Sequence, residues 1–596
     1  MKFFSIKFIV LLLILVESVL NIRAQTTYRV YFTDKANTEY NPFTYLDKKA
    51  IDRRLIHGLD ICDMSDYPLN ESYLLQVAIL SDSILGVSRW MNAIFIHASN
   101  ANISVIQRLP FVKKVETSEA IFRRVMCSEE KENNKDAFDT ALTDKKKSLL
   151  AAQINRMEGR LLMENNLDGK GVRIAIIDVG FKSFLTNPVF KHIIQRNGII
   201  ATYDFVKKKP YTNHGISHGT NVFSCIAGVF DSIYPIGLAT GSEFLLARTE
   251  NLAEFFKEEE NWLLAAEWAD KNGADIINSS LGYTDSRYLP ENMDGKTAFV
   301  SRAAQLAVDK GILVVCSAGN EGEEKWKRVA APGDAAGVLT VGGIDPATGI
   351  HMGFSSYGPS WDRRLKPEVC AYGQVIAAGK NGLFITEGTS FSAPLVTGFA
   401  ACVKQKYPTL TNIQLKDLIC HSGDLWPYYD YAHGYGVPKP FFLFKDTLIN
   451  TPTLTILEDN EDITLYPIEW DTALTKMNVT DSISPLPTHT ILFDTLGTEM
   501  DSIPLLKIDL KDTMGAVVVV TAIWKQLFAK SQFKTTTPPY LFYHIKNRKG
   551  YIDKYFVMDL EDEKNGSVSI SKESSKKPFS IEFYYRGYYK EIIIKE

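Results

Sequence analysis

Between residues 150 and 440, short runs of almost wholly apolar residues alternate with longer segments of helical pattern. The runs have the length of strands, and their lack of polar alternation is typical of strands buried on both faces of a parallel sheet. The four clearest are Val172–Ile177, Ile276–Asn278, Ile312–Ser317 and Val338–Val341. We therefore expect an α/β domain with a doubly wound, mostly parallel sheet, whose functional site lies beyond the carboxyl ends of the strands.

Two regions of different pattern flank this domain, which we assign to residues 150–442. Residues 25–120 mix short strand-like and helix-like pieces, which predicts a small α+β unit. Residues 443–596 are dominated by Val, Ile, Thr and Tyr in short alternating runs, which predicts a C-terminal β-rich module built as a β-sandwich. Extended pieces of the N-terminal unit are expected at Tyr28–Phe32, Leu74–Leu80 and Ala93–Ala98.

The first 24 residues have the pattern of a signal peptide, with Lys2 and Lys7 before the apolar run Phe8–Val16 and a small residue, Ala24, at the expected cleavage site. The run is too short to cross about 30 Å of hydrocarbon. The sequence therefore predicts an exported protein without a transmembrane segment, located in the periplasm, on the cell surface or outside the cell.

A charged segment, residues 121–149, separates the N-terminal unit from the central domain. Its runs Ser128–Asp136 and Asp144–Lys147 are poor in apolar residues, which favours an exposed, protease-accessible linker with a processing site.

Composition excludes several classes of function. In 596 residues, Lys and Arg number 66 against 70 Asp and Glu, and this net charge of −4 gives no indication of a nucleic-acid partner. The seven cysteines include no pair at CxxC spacing, which argues against a zinc site or a redox motif. His214 and His218 are four residues apart, but two ligands do not make a metal site, and we predict none.

Three motifs carry groups with catalytic chemistry. Asp178 directly follows the predicted strand Val172–Ile177, although Asp204 also suits a position at a strand end. His218 begins a helical pattern in the motif HGTNV. Ser390, in GTSFSAP, enters another helix, whose unpaired N–H groups and positive dipole end lie near its hydroxyl.

These residue types suit nucleophilic catalysis. A serine hydroxyl is a weak nucleophile at neutral pH, so a neutral imidazole must accept its proton. A buried carboxylate holds that imidazole in one tautomer and stabilises its cation. The oxyanion that forms needs fixed donors, which the Asn320 amide in SAGNEG and the Ser390 backbone N–H would supply.

The order Asp, His, Ser, with the motifs DVG, HGTNVFSCIAG, SAGNEG and GTSFSAP, resembles the subtilisin-like serine peptidases, the subtilase family. The resemblance covers residues 150–440 and implies a secreted serine endopeptidase with Asp178, His218 and Ser390 as triad and Asn320 as oxyanion donor. It also implies a substrate-binding strand at Ser280, Leu281 and Gly282, with the facing wall of the first specificity pocket at Ser317, Ala318 and Gly319. The insertion Tyr283–Lys296 should alter the substrate cleft.

The place and pattern of residues 25–120 resemble a subtilase propeptide, which would act as an intramolecular inhibitor. A propeptide also has a kinetic role, because a parallel sheet rich in non-local contacts folds slowly without a template. Protein or peptide substrates are the other expected partners. No cofactor is required; calcium is common in the family, although no acidic spacing here indicates its ligands.

Two alternatives remain open from the sequence. One is peptide ligation or macrocyclisation on the same triad, which differs from hydrolysis in its products. The other is a catalytically silent relative that binds or adheres, since a fold alone does not give a function. Such a protein would be unaffected by Ser390→Ala.

Overall fold

The computed structural model describes residues 26–118 and 143–440, except 214, 232–233, 252–256 and 286, together with seven segments of the C-terminal region. Those segments are 454–458, 462–467, 485–493, 499–506, 540–560, 568–571 and 580–594. The predicted signal peptide, His214 and most of the predicted linker lie outside the described residues. The chain divides into two compact units, Met1–Leu448 and Ile449–Glu596.

The N-terminal part of the first unit is a four-stranded antiparallel sheet with short helices, as predicted. Its strands are β1 (Thr27–Phe32), β2 (Ser83–Ser88), β3 (Ala93–His97) and β4 (Val112–Ser118), in the order β2-β3-β1-β4. Its helices are α1 (Pro42–Tyr45), α2 (Lys48–Ile56), α3 (Glu71–Ile79) and α4 (Asn100–Ile106).

Helix α3 corrects the prediction of an extended segment at Leu74–Leu80. The run is apolar at nearly every position, so its periodicity does not separate strand from helix. The Asn70 side chain accepts a 3.2 Å hydrogen bond from the backbone N–H of Tyr73 and caps the helix, which favours helical structure in the residues after the cap. Val77 is fully buried in the core of the N-terminal part, whereas Leu75 and Ile79 face solvent.

The central domain has the predicted doubly wound sheet, here of seven parallel strands. They are β5 (Arg173–Asp178), β6 (Ile199–Asp204), β9 (Glu243–Arg248), β10 (Ile276–Ser279), β11 (Leu313–Ser317), β12 (Leu339–Ile344) and β13 (Val369–Tyr372), in the order β13-β12-β11-β10-β5-β9-β6. Two antiparallel ribbons accompany them, β7 (Val229–Phe230) with β8 (Tyr234–Pro235), and β14 (Gln374–Gly379) with β15 (Gly382–Glu387).

Helices cover both faces of this sheet, because its strands are apolar on both sides. The helices are α5 (Asp144–Asn155), α6 (Gly159–Glu164), α7 (Lys191–Gln195), α8 (His218–Ala227), α9 (Glu258–Lys271), α10 (Phe299–Asp309), α11 (Thr389–Lys406) and α12 (Asn412–His421). One core contains residues of α8 and α11, and the core on the opposite face contains residues of α9 and α10.

The charged run Asp144–Lys147, which the sequence places in the linker, forms the first turn of α5. The side chain of Thr143 caps that turn by accepting from the backbone N–H of Lys146. The local charge pattern therefore predicts exposure at this point but not the backbone conformation.

The N-terminal sheet packs on helices α9 and α10. Tyr31 and Phe95 of the sheet share a core with Trp262 of α9 and Phe299 of α10. Phe95 meets Phe299 edge-on, with ring centroids 6.0 Å apart. The N-terminal and central parts are thus one packed unit.

The C-terminal unit contains antiparallel sheets, in agreement with the predicted sandwich. Strands β16 (Leu454–Glu458), β17 (Asp462–Pro467) and β22 (Val568–Ser571) form one sheet, and β18 (Pro485–Phe493) pairs with β19 (Glu499–Leu506). A third sheet has β20 (Tyr540–Lys546), β21 (Ile552–Asp559), β23 (Ser580–Tyr585) and β24 (Tyr588–Ile593), in the order β21-β20-β23-β24. Apolar side chains of the first and third sheets meet in one core, including Ile463, Leu541 and Phe583.

Candidate active site

Asp178 and His218 are hydrogen-bonded at the carboxyl edge of the central sheet. Asp178 ends β5 and is fully buried, and its Oδ1 lies 2.7 Å from Nδ1 of His218. The same oxygen accepts a 2.8 Å bond from the backbone N–H of Val179. A carboxylate can only accept, so Nδ1 of His218 carries the proton and Nε2 is the nitrogen available as a base.

The fold brings His218 to Asp178 through a close backbone approach. The N–H of Gly219 donates to the carbonyl oxygen of Gly180 at 2.9 Å. A Cβ at position 219 would lie 2.5 Å from that oxygen, so the glycine of the HGT motif is a steric requirement. Burial lowers the pKa of His218, but the charge and hydrogen bond of Asp178, with a contribution from Glu250, outweigh burial and raise the pKa above its ordinary value.

Ser390 lies in the first turn of α11 and exchanges hydrogen bonds with Ser280. Its hydroxyl donates to the carbonyl oxygen of Ser280 at 3.2 Å, while the Ser280 hydroxyl donates to the carbonyl oxygen of Ser390 at 2.8 Å. Phe391, the next residue, has its ring centroid 5.7 Å from that of His218. The structure therefore places the serine motif beside the imidazole, with the Ser390 hydroxyl directed to Ser280.

Asn320 lies next to the serine motif and is held by Thr389, a contact that the motifs alone do not specify. Its Oδ1 accepts from both the backbone N–H and the hydroxyl of Thr389, each at 2.9 Å. Because Oδ1 is fixed by these two donors, the Nδ2 amide group is the part of the side chain available to a ligand.

The six predicted substrate-binding residues follow two neighbouring strands. Ser280, Leu281 and Gly282 come directly after β10, and Ala318 and Gly319 follow Ser317 at the end of the adjacent β11. Parallel strands end at the same edge, so both segments lie on the side of the sheet that carries Asp178.

Some backbone N–H and carbonyl groups in these segments are hydrogen-bonded within the protein. The N–H of Ala318 donates to the carbonyl oxygen of Val341 at 2.9 Å, and its own carbonyl oxygen accepts from the N–H of Ala330 at 2.8 Å. A Cβ on Gly282 would lie 3.0 Å from the Cβ of Ala330, so the two segments are joined closely through residue 330.

The sequence did not indicate a second carboxylate near the site, which is half-buried. Glu250 lies two residues beyond the end of β9, and its Oε1 accepts a 2.7 Å bond from the hydroxyl of Tyr283. Burial is the main cause that raises the pKa of Glu250 to about 7. Its position beyond a strand end was the available signal, while its partner Tyr283 belongs to the predicted insertion.

Asp204, the alternative acidic residue, has a different partner. Its Oδ2 accepts a 2.9 Å bond from Nη1 of Arg248, and both side chains are buried. It therefore serves as half of an ion pair at the end of β6.

Sequence comparison decides the family. A model of the subtilase family matches residues 169–437. Subtilisin of Bacillus pumilus is 31% identical over 266 residues, which cover 44% of this chain and 88% of that protein. The chain belongs to the subtilase family. Subtilisin BL of Lederbergia lenta is similar at 29% identity, covering 44% of this chain and 87% of its own.

A second family model and a solved structure also align with parts of the chain. A model of the peptidase S8 propeptide domain of Bacteroidota matches residues 27–136, so this subtilase carries a propeptide domain at its N-terminus. A solved structure of MycP1 from Mycobacterium smegmatis aligns with 50% of this chain and 86% of its own, at 22% identity and a TM-score of 0.39. As a subtilase, the protein is a serine endopeptidase, a hydrolase.

Two further observations concern membrane-spanning helices and metal sites. Among the residues that the structure describes, no helix is long and apolar enough to cross a membrane. Within the same residues, no group of three His, Cys, Asp or Glu side chains is placed to hold a metal ion. That catalysis requires no cofactor stays a prediction.

Proposed function

We propose that this subtilase is exported with an inhibitory propeptide and hydrolyses peptide bonds of protein substrates through an acyl-enzyme on Ser390. The observation that carries the proposal is the part-buried 2.7 Å hydrogen bond between Asp178 and His218, beside the Ser390 turn of α11. The hydrogen bond supports the proposal because it orients the general base that an activated serine requires.

In the first step, the Ser390 hydroxyl leaves the carbonyl oxygen of Ser280 and turns towards the imidazole. Its oxygen attacks the substrate carbonyl carbon while Nε2 of His218 takes the hydroxyl proton. Asp178 holds the resulting imidazolium in position and stabilises its charge. The same imidazolium then gives its proton to the leaving amine as the peptide bond breaks.

Two donors are positioned for the oxyanion. The Nδ2 group of Asn320 is one, because Thr389 fixes the orientation of the amide, and the backbone N–H of Ser390 is the other. In the second half of the reaction His218 takes a proton from water, which attacks the acyl-enzyme ester and releases the product acid. The proton returns to the oxygen of Ser390.

The propeptide supports the proposal that the chain is made inactive and then processed. It packs on α9 and α10, and the segment that joins it to the central domain includes the charged run Ser128–Asp136. Cleavage in residues 121–149 would separate an inhibitor from the enzyme, and residues 1–24 would direct export.

Labelling with a fluorophosphonate probe tests the nucleophile directly. We expect a phosphonyl adduct on Ser390 in the processed protein and none in Ser390→Ala. Ser392→Ala is the matched control, because that serine lies in the same turn but is buried and donates to the carbonyl oxygen of Tyr372 at 3.1 Å. Absence of an adduct on protein confirmed to have lost its propeptide would contradict the proposal.

Product analysis separates hydrolysis from ligation. A peptide substrate incubated with enzyme that labels on Ser390 should yield two fragments with new carboxyl and amino termini. Joined or cyclic products would instead indicate a peptide ligase on the same residues.

A further inference from the structure

Three consecutive glutamates begin helix α9, and all three are buried. They are Glu258, Glu259 and Glu260. Arg29 of the propeptide strand β1 enters this acidic turn, with Nε 2.6 Å from Oε1 of Glu260 and Nη2 3.3 Å from Oε2 of Glu259. The two carboxylates raise the pKa of Arg29 against the opposing effect of burial.

An aromatic ring completes the surroundings of the guanidinium. Cζ of Arg29 lies 3.6 Å from the ring centroid of Phe299, the first residue of α10. Two carboxylates at the edge and an aromatic face together match a planar guanidinium better than an ammonium, since the guanidinium both stacks and forms directed hydrogen bonds.

The catalytic domain holds this pocket with its own residues. The hydroxyl of Tyr288 donates to Oε1 of Glu259 at 2.6 Å and accepts from the backbone N–H of Phe299 at 3.0 Å. Arg287 is paired with Glu258, its Nη2 lying 2.6 Å from Oε2. None of these contacts involves the propeptide, so the pocket is organised without it.

Arg29 is the charged partner of Glu260, whereas Glu258 and Glu259 also contact residues of the central domain. The side chain of Glu260 is 2% exposed, and its Oε2 has no hydrogen-bond partner among the described residues. Loss of the propeptide removes Arg29 and leaves Glu260 and part of Glu259 open to a new cation.

We propose that Glu259, Glu260 and Phe299 form an arginine-binding exosite. Arg29 fills it in the precursor, and an arginine side chain of an extended polypeptide partner fills it in the processed enzyme. The inference rests on the proposed function because it requires removal of the propeptide. The site lies on the helices that carry the propeptide.

The test measures binding of a labelled peptide to processed enzyme. The enzyme is first inactivated with a fluorophosphonate, so that it does not cut the probe, and its intact mass reports both the adduct and the loss of the propeptide. The probe is a fluorescein-labelled peptide of residues 26–32, TTYRVYF, compared by anisotropy with the same peptide carrying citrulline in place of arginine. We expect the arginine peptide to bind at least about tenfold more tightly, as the loss of a charged hydrogen-bonding group implies.

Two variants test whether the preference for the arginine peptide depends on Glu260. Glu260→Gln should abolish the preference for arginine while leaving hydrolysis of a short chromogenic peptide unchanged. Glu291→Gln, which changes an exposed glutamate, should retain the preference. Equal affinity of the two peptides for wild-type enzyme would overturn the exosite, as would a preference that survives in Glu260→Gln.

The outcomes distinguish this inference from the function on which it rests. A chain that keeps its propeptide contradicts both proposals. A chain that loses the propeptide and carries the adduct, yet does not discriminate between the peptides, contradicts only the exosite. The citrulline comparison needs no variant, so the test stands even if Glu260→Gln fails to fold.

Discussion

The hydroxyl of Ser280 donates a 2.8 Å hydrogen bond to the carbonyl oxygen of Ser390, and the hydroxyl of Ser390 donates back to the carbonyl oxygen of Ser280 at 3.2 Å. The loop after strand β10 is thereby joined to the first turn of α11. The pair fixes the backbone of the proposed nucleophile and also gives its hydroxyl a resting partner.

Ser280→Ala should reduce kcat by about two- to tenfold, because it removes a single neutral hydrogen bond worth about 0.5–1.5 kcal/mol and retains the carbonyl oxygen. Fluorophosphonate labelling should slow to a similar extent. Ser279→Ala is a useful comparison, since that hydroxyl accepts from Nε1 of Trp262 at 2.9 Å and does not contact Ser390. An equal loss in both variants would indicate general disturbance of the loop.

Asn320→Ala should lower kcat about 10²–10³-fold with little change in KM, because its amide would act on the oxyanion rather than on the bound substrate. Steady-state kinetics on a peptide substrate measures both constants. Thr389→Val removes one of the two bonds to Oδ1 and keeps the backbone bond, so its loss should be smaller. A rise in KM alone in Asn320→Ala would contradict the oxyanion role.

Glu250→Gln should shift the acid limb of the kcat/KM profile to lower pH. The ionised form of Glu250 helps to raise the pKa of His218, and catalysis needs the imidazole neutral, so activity falls as pH drops through that pKa. The shift should be small, because the pKa of Glu250 is itself about 7 and only part of its charge is present in that pH range. Removing the charge lowers the pKa and extends activity towards acid. Glu243→Gln, at the opposite end of β9, should leave the profile in place.

Asp270→Asn should destabilise the precursor by about 3–5 kcal/mol, because it leaves the buried guanidinium of Arg53 without its carboxylate, while Arg54 keeps Asp66. Both Arg53 and Arg54 of the propeptide helix α2 pair with Asp270, the latter at 2.7 Å between Nη2 and Oδ2. Urea unfolding of the Ser390→Ala precursor measures the change.

The control for this interface is an exposed pair on the same helix. Asp52→Asn breaks the contact between Lys48 and Asp52, which lies in solvent and should contribute only about 0–1 kcal/mol. Comparable destabilisation by the two substitutions would show that burial of the Asp270 pair adds nothing.

The sequence predicts the sheet and the principal site residues because local signals specify both. Apolar runs of strand length define a doubly buried sheet, and motifs such as HGT and GTS carry glycines that the backbone geometry demands. The ends of parallel strands meet at one edge, so residues after separate strands can be predicted to lie together.

Contacts between side chains of different segments could not be predicted from the sequence. The bond between Tyr283 and Glu250 joins an insertion to a strand end, and no periodicity relates the two positions. The prediction of an extended segment at Leu74–Leu80 was wrong for a different reason. A run that is apolar at nearly every position fits both a strand and a helix until Asn70 is recognised as its cap. The pairing of Arg29 with Glu259 and Glu260 likewise needs the fold.

The order of the proposed catalytic residues along the chain has a consequence for synthesis. A ribosome delivers Asp178 and His218 well before Ser390, which lies in the first turn of α11, the helix that packs against strands β10 to β13. During synthesis of the roughly 170 residues between His218 and Ser390, the chain contains the proposed base but not the proposed nucleophile. The capacity to cut arrives only when nearly the whole domain exists, and by then the propeptide, made first, is already present to cover α9 and α10. In the order of synthesis, the propeptide domain therefore precedes every residue proposed for catalysis.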